Sequence, residues 1–434
     1  MDGSPLRRLG RDALLLAAGS FAARLVGFAK EIVVAGYFGL SGELDIYLVA
    51  FTLIGFPLAI LLNALQTVFI ARLASSQEHG GEPRLHGVAV ACALPILALV
   101  LPIWLFFLPQ ALPWIASGFP TEQIQALETA LYWMTPYYFL NGLNQLGYGV
   151  LQATRRYFLN GVMPAITPLL TLLILFALAE TGTWQILAAS LVTGMSMEAM
   201  LLLLLLRRFG ALGLPRGPDW RAIRPLLTGS AALLPATLTG AIVLLVEQAI
   251  AASLGEGSNA ALAYGYRLPT ALQSLVVAAI GVTVLPYFSS LIARRQQAYC
   301  LHSLNKLYAL LGLGGLAITF PLLFFSNEII VLMYQRGTFD GSDALRVTPI
   351  QTAYFAQLPA ALLAILGMKV LAATGRNTWV SAIAIGIGSL QCLLAYALAQ
   401  RLGPAGIAWA ATLASALVAA TAYFASRASL VIPK

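Results

Sequence analysis

The sequence predicts an all-α polytopic membrane protein. About twelve transmembrane helices form two six-helix lobes, related by a parallel pseudo-twofold repeat around a central cationic cavity. Three observations carry this expectation. The 434 residues are 59% apolar and only 10% charged, with a mean hydropathy of +0.84, whereas an average soluble domain is about 25% charged. Apolar runs of spanning length recur twelve times between short loops. Lysine and arginine concentrate in every second loop. So few charges cannot cover a water-soluble protein of 46.1 kDa, and so much apolar surface excludes intrinsic disorder. Three cysteines (Cys92, Cys300, Cys392) make no disulfide scaffold, and three scattered histidines (His79, His86, His302) argue against a zinc site.

A spanning helix needs about 20 apolar residues. The twelve runs fall at 12–38, 45–73, 86–108, 125–152, 158–179, 183–206, 222–253, 260–292, 304–333, 345–373, 377–400 and 403–426. The first has the basic start of a signal peptide, but it continues through Arg24 and Lys30 to Phe38, so it reads as a span. The Gly/Pro stretch at the chain's midpoint reads as a linker. The expected organisation is an N-terminal lobe, 1–209, a cytosolic linker, 210–221, and a C-terminal lobe, 222–434.

Basic residues orient the spans. With the N-terminus in the cytosol, 18 of the 25 Lys and Arg fall in cytosolic segments and only Arg336, Arg346 and Arg401 in outer loops. An even number of spans then leaves both termini cytosolic. The net charge of +8 is accounted for by loops facing anionic lipid, and no nucleic-acid partner is expected.

The halves resemble each other. A shift of 216 residues places Glu31 on Glu247, Ala35 on Ala251 and Gly39 on Gly255. A shift of 220 places VLQATRR (Val150–Arg156) on VLAATGR (Val370–Arg376), each after the fourth span of its half. Six spans per half give a parallel repeat, the plan of an alternating-access transporter.

Charges inside the spans mark the candidate site, because each costs roughly 2.5–3.5 kcal/mol at a helix centre on insertion scales. Arg24, Lys30 and Glu31 lie in the first span, Asp45 opens the second, and Glu198, Glu247, Arg267 and Lys369 lie in the sixth, seventh, eighth and tenth. Arg24 and Glu31, seven apart, share a helix face. Arg24, Lys30 and Arg267 together would make a cationic cavity suited to a phosphorylated headgroup. The competing reading pairs Arg24 with Glu31, Lys30 with Asp45 and Glu247 with Arg267 as structural bridges. Glu247 and Glu31 are candidates for coupling to a Na⁺ or H⁺ gradient. Asn141 and Gln145, four apart in the fourth span, offer amides to sugar hydroxyls or glue between helices. Glu198 and Lys369 are expected near cytosolic ends, Lys369 snorkelling. Pro57, Pro136, Pro235, Pro269, Pro321 and Pro359 are candidate kinks. No catalytic or metal-binding residue and no cofactor is expected.

The segment ARLVGFAKEIVVAGYFG (Ala23–Gly39), followed by DIYLVAF (Asp45–Phe51), resembles the opening of the MurJ/MviN family. AYGYRL (Ala263–Leu268), VLP (Val284–Pro286) and QRGTF (Gln335–Phe339) extend the likeness. The resemblance implies a flippase that carries an undecaprenyl-pyrophosphate-linked saccharide from the inner to the outer leaflet of a bacterial inner membrane. The wider superfamily also contains multidrug and polysaccharide-unit exporters. On the resemblance, Arg24, Lys30 and Arg267 match cavity cations and Asp45 the acid of the second span. Three departures stand out. Leu58 falls where the family has a further arginine, Tyr266 replaces an acid, and the sequence has no spans after the twelfth. They leave the cargo open between lipid II and an exopolysaccharide or O-antigen-like unit. Neighbouring enzymes of envelope polysaccharide synthesis are the expected protein partners. The alternatives are a cation-coupled multidrug exporter, which would want an acidic cavity, and a membrane glycosyltransferase or ligase, for which the loop at 109–122 offers only Glu122 and the loop at 335–346 Asp340 and Asp343 beside Arg336.

Overall fold

The computed structural model describes residues 5–76, 82–154, 156–178, 182–210, 220–294 and 296–431. Most of the expected linker, 211–219, lies outside the described residues. So do His79, Arg155, Arg216, Arg295 and Lys434, and the side chains of Arg7, Arg8, Arg11, Arg72, Arg84, His86, Cys92 and Arg221.

Among the described residues the chain is helical apart from short turns and one isolated bridge, Arg336 to Phe339. The first half contains α1 (Pro5–Phe38), α2 (Gly42–Ser76), α3 (Glu82–Ile115), α4 (Thr121–Trp133) with α5 (Thr135–Ala153), α6 (Tyr157–Val162) with α7 (Ile166–Leu178), and α8 (Trp184–Arg208). The second contains α9 (Trp220–Ser253), α10 (Ser258–Ala293), α11 (Gln297–Phe324) with α12 (Ser326–Tyr334), α13 (Gly341–Ala373), α14 (Asn377–Leu402) and α15 (Pro404–Val431). Each expected span therefore has its rod. Among the described residues, eight segments are long and apolar enough to cross a membrane by length and composition. Of the remaining rods, α9 contributes a shorter apolar stretch, Thr237–Ser253.

The repeat is visible in backbone geometry. The six rods of one half begin 215 to 220 residues before their counterparts: Pro5 and Trp220, Gly42 and Ser258, Glu82 and Gln297, Thr121 and Gly341, Tyr157 and Asn377, Trp184 and Pro404. Glu31 and Glu247 are each only 9% exposed, and Ala35 and Ala251 are both fully buried. Gly39 and Gly255 both take positive φ, 53° and 103°, just beyond the ends of α1 and α9. That conformation is open to glycine and costly for residues with a Cβ. The second pair of strings also folds alike. Thr154 and Thr374 cap α5 and α13 at φ −78° and −76°, and Arg156 and Arg376 lead into the next rods at φ/ψ of −86°/52° and −90°/56°.

Three rods are interrupted. Met134 separates α4 from α5, with Pro136 in the first turn of α5. A 3₁₀ turn at Met163–Ala165 separates α6 from α7, and Phe325 separates α11 from α12 four residues after Pro321. Proline lacks the N–H that would continue the ladder. Pro136 and Pro321 thus lie at breaks, whereas Pro57, Pro235, Pro269 and Pro359 sit inside unbroken helices. Pro164, absent from the expected kinks, lies in the 3₁₀ turn.

The chain forms two compact units, Met1–Phe38 with Gly42–Ala241, and Gly39–Ser41 with Ile242–Lys434. In the first, α1 lies against α6 and α7, α2 against α4 and α5, and α8 against α5 and α7. In the second, α13 is central, flanked by α10, α11 and α15. Lipid provides little hydrophobic drive between helices, so close contact of small residues and hydrogen bonds does the work. Ala353 and Ala361 of α13 and Ala408, Ala411, Ala414 and Ala422 of α15 are buried. Thr412 donates to the Ala353 carbonyl (2.8 Å), Ser426 to that of Gly367 (3.1 Å) and Gln357 to Ser415 (2.8 Å).

Candidate functional site

In the first unit the candidate charges gather around the α1–α2 corner. Lys30 Nζ lies 2.8 Å from Glu31 Oε1, with both side chains largely covered. The expected pair of Lys30 with Asp45 is therefore not formed. The flexible lysine stem lets neighbouring side chains meet despite their 100° separation around the helix. Asp45 is fully buried in the first turn of α2, beside Glu43. A carboxylate there meets the positive end of the helix dipole. Glu43 Oε2 accepts the backbone N–H of Trp184 at 2.9 Å, capping α8 from α2. Arg24, two turns before Glu31 on α1, is exposed.

The polar face of α5 divides in two. Asn141 Nδ2 donates to the Tyr137 hydroxyl (3.1 Å), and the backbone carbonyl of Gln145 accepts from Gln66 Nε2 (3.1 Å). Asn144 and Tyr148, also four apart, turn instead toward Glu198 of α8. Glu198 Oε1 accepts from Tyr148 Oη and from Asn144 Nδ2 (3.2 Å), and Oε2 accepts from Thr167 Oγ1 (2.7 Å). The backbone N–H of Thr167, in the first turn of α7, adds a further donor. Two glycines allow this approach. A Cβ on Gly194, one turn before Glu198, would lie 2.9 Å from the Thr167 Cα, and one on Gly147 would collide with Leu202. Glu198 is 3% exposed, so neighbouring side chains cover it. Sequence reasoning undervalued it because its donors come from helices 31 to 54 residues away. The i, i+4 spacing of Asn144 and Tyr148 was the available signal.

In the second unit Glu247 Oε1 accepts from Gln391 Nε2 of α14 at 2.7 Å. The expected bridge from Glu247 to Arg267 is replaced by this neutral amide. Gln391 was not singled out from the sequence, since nothing local to α14 marks it. Arg267 is exposed on α10. Its neighbour Tyr266 rests on Tyr354, ring centroids 4.9 Å apart, where the resemblance leads one to expect an acid.

The segment Gln335–Phe339 is a tight turn. Gly337 has φ 59°, and Phe339 is buried against Tyr264 and Tyr334. Asp340 caps α13, accepting from Ser342 N (2.7 Å), Ser342 Oγ (2.7 Å) and Asp343 N (3.1 Å). The Ser342 hydroxyl, followed by the two backbone N–H groups, holds its carboxyl below the ordinary value of 3.8. Among the described residues, no three His, Cys, Asp or Glu side chains are grouped as metal ligands.

Among the described residues, eight segments long and apolar enough to cross a membrane, an internal repeat and buried carboxylates within the helices define a multi-pass membrane protein. The family model described as "Lipid II flippase MurJ" matches residues 34–434, and the chain belongs to that family. Arg24, Lys30 and Glu31 precede the matched segment. Proteins named probable lipid II flippase MurJ share its sequence. One from Rhizobium tropici is 25% identical over 372 residues, covering 82% of this chain and 69% of the relative. One from a Synechocystis species is 23% identical over 385 residues, covering 81% and 69%. A solved lipid II flippase MurJ in an inward closed conformation superposes with a TM-score of 0.77 at 19% identity, covering 95% of this chain and 87% of that one. An inward-facing multidrug resistance MATE family transporter of the MOP superfamily gives 0.78 at 12% identity, covering 96% and 98%. At these identities the structural likenesses establish the fold alone.

Proposed function

We propose that this protein is a flippase that moves an undecaprenyl-pyrophosphate-linked saccharide from the inner to the outer leaflet of the bacterial inner membrane by alternating access. The family match across residues 34–434 carries the reading, and the relatives named lipid II flippase make lipid II the first cargo to test.

Arg24 and Lys30 in one half of the repeat, and Arg267 in the other, are each candidate cations for the pyrophosphate. Guanidinium groups bind phosphate oxygens in a bidentate way, and an ammonium adds a point charge. Lys30 is held by Glu31 at rest, and the more highly charged pyrophosphate displaces that carboxylate. Asp45, buried at the adjoining corner, keeps the local field from becoming uniformly positive. Asn141 and Gln145 offer amides to the saccharide. Glu247 takes Na⁺ or H⁺ and couples its gradient to the cycle, with Glu31 as the counterpart in the other half of the repeat. Gln391 fits this role for Glu247, because a neutral amide leaves the carboxylate's charge to be balanced by an ion. Both termini lie in the cytosol.

The experiment is depletion of the protein followed by mass spectrometry of the polyprenyl-pyrophosphate pool. Build-up of one saccharide-linked species supports the reading, and its mass names the cargo. A normal pool with raised sensitivity to cationic drugs would replace the flippase with an exporter.

A further inference from the structure

Within the second unit, α11, α13 and α15 leave a groove of about 460 Å³ between them. Small side chains of α15, Ala416, Ala419 and Ala420, line it. Its walls are Leu363 of α13, Tyr308 of α11 and Tyr423 of α15. The tyrosine rings meet at 4.8 Å, and both hydroxyls are occupied: Tyr423 Oη donates to Asn305 Oδ1 (2.9 Å) and Tyr308 Oη to the Ala419 carbonyl (3.4 Å). The polar edges are thereby tied back, and the trough between them is apolar.

The groove opens among side chains suited to hydrocarbon. Leu310 and Leu313 on α11 and Leu417 and Phe424 on α15 are exposed. On a membrane span, exposed aliphatic residues face lipid. One end differs. His302 and Lys306, which flank Asn305 on α11, and Arg427, one turn beyond Tyr423, are exposed there. No Asp or Glu occurs in α11 or α15, and α13 has none after Asp343. This end is thus positive with no acid on the three helices to neutralise it. Basic pockets between transmembrane helices at a membrane surface bind anionic lipid headgroups.

We infer that the α11–α13–α15 groove is a binding site for an anionic phospholipid, with one acyl chain in the alanine-lined trough and the phosphate at Lys306 and Arg427. The charge complementarity favours an anionic over a zwitterionic lipid. The single trough favours one ordered chain rather than a bulk annulus. The site uses none of the groups proposed for the cargo.

Native mass spectrometry of the purified full-length protein, titrated with phosphatidylglycerol or phosphatidylcholine of identical acyl chains, tests it. One phosphatidylglycerol adduct is expected at lipid concentrations where phosphatidylcholine is unbound. Lys306→Ala/Arg427→Ala, at exposed positions, is expected to weaken that adduct roughly tenfold or more, leaving phosphatidylcholine unaffected. Ala416→Leu/Ala420→Leu, which fills the trough, is expected to abolish it with an unchanged melting profile. Equal binding of both lipids, or retention of the adduct by both variants, would overturn the assignment. So would displacement of the lipid by equimolar undecaprenyl phosphate, which would give the groove to a polyprenyl tail.

Discussion

Glu198 Oε2 of α8 accepts the hydroxyl proton of Thr167 at 2.7 Å, so a carboxylate within one span is fastened to the first turn of another immediately after its 3₁₀ break. Tyr148 and Asn144 close the other oxygen, and no lysine or arginine among the described residues shares the site. A buried carboxylate without a counter-cation is tolerable only when its lone pairs are met by donors. That cluster is the polar centre of the first unit.

Removing the acceptor strands its donors. Each buried donor left unmet costs about 1–3 kcal/mol, so Glu198→Ala is expected to destabilise by roughly 3 kcal/mol or more, and Tyr148→Phe by about 1 kcal/mol. Thermal unfolding of the purified variants in detergent checks the order. Gly194→Val belongs with the larger effect, since its Cβ branch would drive Thr167 away from Glu198.

Glu31 and Lys30 should act in opposite directions. Lys30→Ala removes a phosphate partner, whereas Glu31→Gln releases the ammonium from its carboxylate. Undecaprenyl pyrophosphate titrated against each variant is expected to bind roughly tenfold more weakly to the first and more tightly than parent to the second, the scale of one charge-assisted hydrogen bond. Weaker binding in both would make the pair structural.

For Glu247, thermal shift in NaCl against KCl reports the ion. Ligands that bind only the folded state raise its melting temperature. The parent is expected to be stabilised by Na⁺ or by acidification, and Glu247→Gln by neither. Gln391→Leu is expected to weaken that response while keeping the fold.

Asp340 gives a pH test outside the spans. Its folded value is depressed, so its contribution is fully present above the unfolded value near 3.8 and is lost as pH falls through the lower folded value. Hydrogen exchange at the amides of Ser342 and Asp343 is expected to stay slow down to about pH 4 and then quicken. Asp340→Ala should exchange fast at every pH, while Asn, also a good cap, should restore protection at every pH.

Hydropathy and loop charge made the rods legible, because spanning length and basic asymmetry are local properties of the chain. The repeat was legible at Glu31 and Glu247 and at Gly39 and Gly255, where a charge or a left-handed turn leaves a residue-level mark. Partnerships were less so. Gln391 reaches Glu247 across 144 residues, and an uncharged amide in an apolar helix carries no signal of its partner. Lys30 meets its neighbour Glu31 because a long side chain escapes the helical-face rule. Pro164 lies in a 3₁₀ break and Pro57 inside an intact helix, a difference that proline alone does not report.

The proposed function rests on transfer of a pyrophosphate-linked saccharide by this chain's cationic residues. Its most direct measurement is the fraction of that lipid open to a membrane-impermeant hydrolase in spheroplasts that carry the parent, Arg24→Ala or Arg267→Ala as sole copy, at matched insertion. Ready cleavage is expected with the parent, and a fall to the level of depleted cells with either variant. Cleavage at the parental level in both variants would contradict it.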